Sequence, residues 1–354
     1  MRFIIPLFVI IIIVVLLSLN WNSTTSTPPP PGAPPAPLQP ITTSSNVIIN
    51  TQNESIQTAN KLSISGLAID FNDSNWALYS SYAQNLNVRW VRSDVWGSAW
   101  NLEYNSSFNI IGIIGQGTIQ HFFSNFTNLS QWNYTVKQVL ADFPNLHYWE
   151  IWNEPIYFQY GYQEYYNPIH YLNMLKSAWE IAHTVNNAPY IIGFGGVYYS
   201  QDSYVSNLMS MGAGSYINAI SIHTHPLHTG ITNWINQTVS QIKFLQQYNL
   251  PIWDTEAGLI NLTFIQHEKN IITGDSYEVI VHYNETAFLK TLYPLLLSYG
   301  VVHIFYFSLS WNYLMYGKGF GGTTVSYIGY SLLYPNNLPS PQYYLYKNIT
   351  EEYI

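Results

Sequence analysis

Eight short apolar runs recur along the last 290 or so residues of this chain, each followed by polar or helical sequence, and that alternation limits the available folds. The runs are ISGLAIDF (64 to 71), VRWVRSD (88 to 94), NIIGIIGQG (109 to 117), HYWEIWNEP (147 to 155), YIIGFGG (190 to 196), AISIHTHP (219 to 226), PIWDTEAG (251 to 258) and VHIFYFSLSW (302 to 311). Most are apolar at successive positions rather than at alternate ones, so both faces must be covered, as in a parallel sheet. Between them lie helical patterns. In NPIHYLNMLKSAWEIAHTV, Asn167 can cap, Pro168 fits the first turn, and Leu172, Leu175, Trp179 and Ala182 recur at helical spacing. Asn233 to Tyr248 and Asn284 to Tyr299 read the same way, whereas the helix after the second strand is weakly signalled. Eight alternations predict a (β/α)8 TIM barrel over residues 61–354, with an open doubly wound sheet as the alternative.

The preceding sequence is of another kind. Residues 1–20, MRFIIPLFVIIIIVVLLSLN, are apolar from Phe3 to Leu17 with Arg2 ahead of them, the pattern of a membrane anchor or an export signal. No A-x-A-like cleavage site follows, which favours an anchor with the bulk of the chain outside the cell, at the cell surface. Residues 21–60 contain STTSTPPPPGAPPAPLQP, which cannot pack a core and predicts a semi-rigid stalk. N-x-[ST] sequons at Asn53, Asn105, Asn125, Asn133, Asn236, Asn284 and Asn348 agree with an exported glycoprotein, although several will be chance matches.

Composition narrows the partners. Charged residues make up 8% of the chain, against about 25% in ordinary soluble proteins, while aromatics reach 17%. With 11 Lys and Arg and 10 His, self-repulsion in acid stays modest, which suits an acidophile. A net charge of −8 without basic runs argues against nucleic acid as a partner. The absence of Cys excludes disulfides, thiol nucleophiles and thiolate-bound metals.

In a TIM barrel the chemistry collects at the C-terminal strand ends, and the few carboxylates fall there. Glu154 closes the fourth run and Glu256 the seventh, each beside Trp or Pro, while Glu150 lies deeper and reads as structural. Paired carboxylates in an aromatic cleft suit glycoside hydrolysis, in which one must hold a proton for the leaving oxygen and the other must stay ionised. The segments WEIWNEP and IWDTEAG resemble the two signatures of glycoside hydrolase clan A, the retaining β-glycosidases in which an Asn-Glu pair ends strand four and a second Glu ends strand seven. That resemblance implies Glu154 as acid/base, Glu256 as nucleophile, Asn153 on the sugar 2-hydroxyl, Arg92 holding the nucleophile and Trp311 flooring the sugar site, with no cofactor and a carbohydrate substrate. Clan members commonly carry His-x-Tyr after strand six, where this chain has His223, Thr224 and His225. A histidine in the tyrosine's place could be charged in acid and stabilise an ionised Glu256. Two other readings stay open: a glycan-binding or surface-layer barrel without turnover, and a metal-dependent hydrolase using His223, His225 and His228 with Asp254. The segment GKGFGG (317 to 322) matches G-x-G-x-x-G but opens no helix, and is expected to be a loop beside the cleft.

Overall fold

All eight apolar runs supply parallel strands to one closed barrel. They are β1 (Ser65–Ala68), β2 (Trp90–Asp94), β3 (Asn109–Ile114), β4 (Tyr148–Ile151), β5 (Tyr190–Val197), β6 (Ala219–His223), β7 (Ile252–Ala257) and β10 (Val301–Phe307). Strand β10 pairs with both β7 and β1, which closes the ring and excludes an open sheet. The computed structural model describes residues 65–69, 75–95, 108–124, 126, 128–156, 167–185, 187–226, 230–259, 261–269, 276–281, 285–310, 316–318, 324–328, 331–334 and 336–352. The expected anchor and stalk, the helix after β2, Trp311, His228 and the sequons Asn53, Asn105, Asn125 and Asn284 lie outside them. Among the described residues no helix is long and apolar enough to cross a membrane.

The surrounding helices are α1 (Trp76–Asn85), α2 (Gln116–Phe122), α3 (Leu129–Asp142), α4 (Pro168–Ala182), α5 (Asp202–Ser210), α6 (Gly230–Gln246), α7 (Glu285–Ser298) and α8 (Pro341–Glu352). Local sequence explains where they start. The Asn167 side chain accepts from the Ile169 amide with Pro168 in the first turn of α4, and Asn128 caps α3 by accepting from Gln131. Along α3, Trp132, Thr135, Val136, Val139 and Leu140 are buried, the spacing of one helix face. The Asn133, Asn236 and Asn348 sequons fall in helices, and their threonines, Thr135, Thr238 and Thr350, are buried. Asn133 is also bonded by the Ser177 hydroxyl, whereas Asn236 and Asn348 are exposed.

The barrel interior is layered. At the N-terminal end of the strands an aromatic plug joins Trp90, Tyr148, Tyr190, Trp253 and Phe305, with the rings of Trp90 and Tyr148 4.7 Å apart and Tyr190 stacked on Trp253 at 5.4 Å. Two residues further along β2, β4 and β7 the inward residues are polar, Arg92, Glu150 and Thr255, and Ser221 of β6 joins them. Apolar packing thus closes the bottom of the barrel, and charge is confined to the layer beneath its C-terminal mouth.

A second sheet was not expected from the sequence. Strands β8 (Asn261–Lys269) and β9 (Ser276–Val281) follow β7, β11 (Tyr316–Lys318) and β12 (Thr324–Ile328) follow β10, and the four pair antiparallel in the order β11-β12-β8-β9. Gly317 and Lys318 of the GKGFGG segment therefore belong to a strand rather than a loop. Both insertions leave the barrel at its C-terminal face, after the strands that carry Glu256 and Phe307.

Candidate active site

The backbone just beyond β4 does not run on as a strand. Trp152 and Glu154 adopt left-handed conformations, with φ of 68° and 48°, on either side of Asn153. Each such residue costs on the order of 1 kcal/mol and persists only where its surroundings hold it. Two backbone bonds do so: the Trp152 amide donates to the Ile114 carbonyl at 2.8 Å, and the Glu154 amide to the Gly195 carbonyl at 2.6 Å. Trp152 is buried against Trp132 and Phe126, ring centroids 6.3 and 6.2 Å away. Trp152 of WEIWNEP is thus a wedge that fixes the turn, and the turn brings Asn153 and Glu154 to the mouth.

Arg92 organises the layer below. Its Nε donates to Glu150 Oε2, its Nη1 to Glu256 Oε1 at 2.5 Å and its Nη2 to Asn153 Oδ1 at 2.8 Å. Glu150, with no exposed surface, also accepts from Ser221 Oγ at 2.6 Å and Thr255 Oγ1 at 2.9 Å, so its lone pairs are satisfied and it acts as the anchor of Arg92. Burial disfavours the Arg92 charge, but Glu150 and Glu256 outweigh it and keep the guanidinium protonated well above its ordinary range.

Glu154 and Glu256 face one another across His223. The His223 Nδ1 lies 3.2 Å from Glu154 Oε1, and its Nε2 lies 3.8 Å from Glu256 Oε1. The ring is seated on β5: a Cβ added to Gly196, whose φ is +84°, would lie 2.1 Å from His223 Nε2. A Cβ on Gly195 would meet the Trp152 carbonyl at 2.5 Å. The FGG stretch of β5 is therefore glycine-rich because the acid-bearing turn and His223 both press on its backbone.

The two carboxylates differ in environment. Glu256 is buried, which would raise its pKa, but His223, Arg92 and His225 together hold it well below the ordinary carboxylate range. Glu154 is more exposed and accepts from Tyr198 Oη at 2.6 Å, on the same Oε1 that faces His223. His225 Nδ1 lies 2.9 Å from the Gly258 carbonyl, and its Nε2 lies 3.5 Å from Glu256 Oε2.

Arg92, Asn153, Glu154, His223, His225 and Glu256 are thus brought together at the C-terminal mouth, while Trp311 lies outside the described residues. The grouping of Asp254 with the histidines does not form. Residues alternate along a strand, and Asp254 occupies the outer face of β7, where Thr224 Oγ1 donates to its Oδ2. Glu256 stands with the histidines instead: donor atoms of His223, His225 and Glu256 lie within 4.8 Å of one another. That spacing could admit a cation, but Glu256 already carries the fixed positive charge of Arg92, which opposes one. Three contributors were missed in the sequence. Ser221 and Thr255 were marked only by being small polar residues within apolar strands, and Tyr198 was one of 31 tyrosines.

Comparison with known protein families and with curated proteins gives no match. Among solved structures the chain is similar to the endo-beta-1,4-mannanase from Thermotoga petrophila, with a TM-score of 0.56 at 11% identity over 83% of this chain and 77% of that one. It is also similar to Bacteroides uniformis beta-glucuronidase, with a TM-score of 0.56 at 9% identity over 81% of this chain and 35% of that one. A third is the GH2 beta-galacturonidase from Eisenbergiella tayi, with a TM-score of 0.52 at 10% identity over 81% of this chain and 50% of that one. At these identities the likeness is one of fold. The resemblance to clan A-like glycoside hydrolases, first carried by two short motifs, extends to the eight-stranded barrel that bears them.

Proposed function

We propose that this chain is a retaining β-glycoside hydrolase that cleaves a β-linked polysaccharide or oligosaccharide by double displacement. The observation that carries the reading is the unequal treatment of two carboxylates at one barrel mouth: Glu256 is held ionised by Arg92, whereas Glu154 sits at the edge of the mouth and, among the described residues, has its hydrogen-bond partners on one oxygen. In the first step Glu256 attacks the anomeric carbon while Glu154 gives its proton to the departing oxygen. In the second, Glu154 takes a proton from the water that displaces Glu256. Asn153 spends its carbonyl oxygen on Arg92, which leaves its amide group to donate to a sugar hydroxyl. The mannanase among the similar structures favours a β-1,4-linked polymer among the substrates to be tried first. The apolar segment and the proline-rich stalk support placement at the cell surface, tethered to the membrane, with the barrel outside in an acidic medium.

The test combines a screen of β-linked polysaccharides and aryl β-glycosides with two variants. Glu256→Ala should lose turnover on every substrate. Glu154→Ala should still react with an activated aryl glycoside, and azide should rescue it to a β-glycosyl azide, since azide needs no base. Full activity in both variants would refute the assignment. The competing metal-dependent reading rests on the spacing of His223, His225 and Glu256, and predicts instead that a chelator abolishes activity.

A further inference from the structure

His225 is 6% exposed, and both of its ring nitrogens face acceptors. The Gly258 carbonyl, 2.9 Å from Nδ1, can only accept, so Nδ1 carries a hydrogen. Glu256 Oε2, 3.5 Å from Nε2, is likewise an acceptor when ionised. A neutral imidazole has one N–H and would serve one of the two, leaving a lone pair aimed at the other. An imidazolium donates to both. Shifting its proton onto Oε2 would place a neutral acid against the Arg92 guanidinium, 2.5 Å from Oε1, which favours the carboxylate.

Charge balance points the same way. Arg92 is shared between Glu150 and Glu256, one cation for two buried carboxylates. Among the described residues, the other groups facing His225 include Glu154 beyond β4, Tyr198 beyond β5 with ring centroids 6.1 Å apart, His223 of β6 at 5.9 Å, and the apolar Phe307 of β10 at 6.0 Å, while Asp254 lies behind on the outer face of β7. Two carboxylates, Glu256 and Glu154, thus bear on the ring among the described residues.

We propose that His225 is an imidazolium in the working protein, a positioning residue that adds its positive charge to those of Arg92 and His223 around Glu256 and makes the nucleophile's environment depend on pH. Burial opposes the charge, but the contacts with Glu256 and Gly258 and the charge of Glu154 outweigh it and hold the ring above its ordinary pKa. A tyrosine in this place would donate one hydrogen bond at any pH below about 10. Histidine makes the support conditional: it is complete in acid and is lost as pH rises through the raised value. The functional half of the inference rests on the glycosidase reading; the charge on the ring does not.

Both halves can be tested on the full-length protein. With 15N-labelled histidine, two-bond proton–nitrogen spectra from pH 5 to 9, assigned through His225→Gln, should show both His225 nitrogens protonated at pH 6.5. In Glu256→Gln the midpoint should fall back towards the ordinary histidine value. A neutral His225 at pH 6.5, or a midpoint unmoved by Glu256→Gln, overturns the proposal. For function, 2,4-dinitrophenyl β-cellobioside and β-mannobioside release 2,4-dinitrophenolate without help from Glu154, so the alkaline limb of kcat/KM reports on the nucleophile's surroundings. At the pH where wild type has fallen about tenfold, His225→Tyr should keep at least about half of its plateau. Coincident alkaline limbs in the two proteins overturn the functional half. If wild type cleaves neither substrate, the glycosidase reading fails on these substrates, and the nitrogen spectra still decide the charge.

Discussion

Asp254 has no exposed surface and occupies the outer face of β7, where Thr224 Oγ1 donates to its Oδ2 and, among the described residues, its Oδ1 has no hydrogen-bond partner. Burial raises its pKa from 3.8 to about 7, against the opposing bond from Thr224 and the charges of His223 and His225. Below pH 3.8 the folded and unfolded chains both hold this proton, and the residue has no pH-dependent effect on stability. Between 3.8 and 7 the unfolded chain releases a proton that the folded chain keeps, so stability falls with rising pH, and the loss is complete above 7. At 1.36 kcal/mol per pH unit the full penalty is on the order of 4 kcal/mol. Asp254→Asn keeps the shape and an oxygen for Thr224 but never ionises. Thermal unfolding followed by circular dichroism should give nearly equal midpoints for wild type and variant at pH 3. At pH 8 the variant should melt higher by up to about 8 °C. A variant destabilised equally at both pH values would show that the carboxylate itself is required, and equal midpoints at pH 8 would show that the charge is not penalised; either result refutes the reasoning.

Two further outcomes follow from the site. Gly196→Ala places a methyl group 2.1 Å from His223 Nε2 at a φ of +84°, so the imidazole between the two carboxylates must move; kcat/KM should fall about 100-fold, measured by steady-state kinetics on whichever β-glycoside the screen identifies. Tyr198→Phe removes the 2.6 Å hydrogen bond to Glu154; turnover of substrates with poor leaving groups should fall about tenfold while dinitrophenyl glycosides are unaffected, and equal losses on both would assign Tyr198 to packing instead.

The barrel and the addresses of its two strand-end carboxylates were legible in the sequence because both depend on short-range patterns. Continuous apolar runs report strands covered on both faces, and a carboxylate at the end of such a run falls at the mouth once the strands are parallel. The second sheet was not read from the sequence, since its members are inserted where a barrel carries loops and the short segments NLTFIQHEK, SYEVIV and TVSYI do not say what they pair with. Other features were decided only by the tertiary structure. Which face Asp254 takes depends on the register that places it outside the barrel while Thr255 turns inward to Glu150. That Glu150 anchors Arg92, rather than merely lying deep, requires Ser221 and Thr255 from two other strands. Tyr198 reaches Glu154 across 44 positions of chain, and His225 has acceptors at both nitrogens only because β6 and β7 lie side by side. Sequence patterns record what a residue needs from its near neighbours; partners, charge balance and protonation arise when distant strands are closed into one ring.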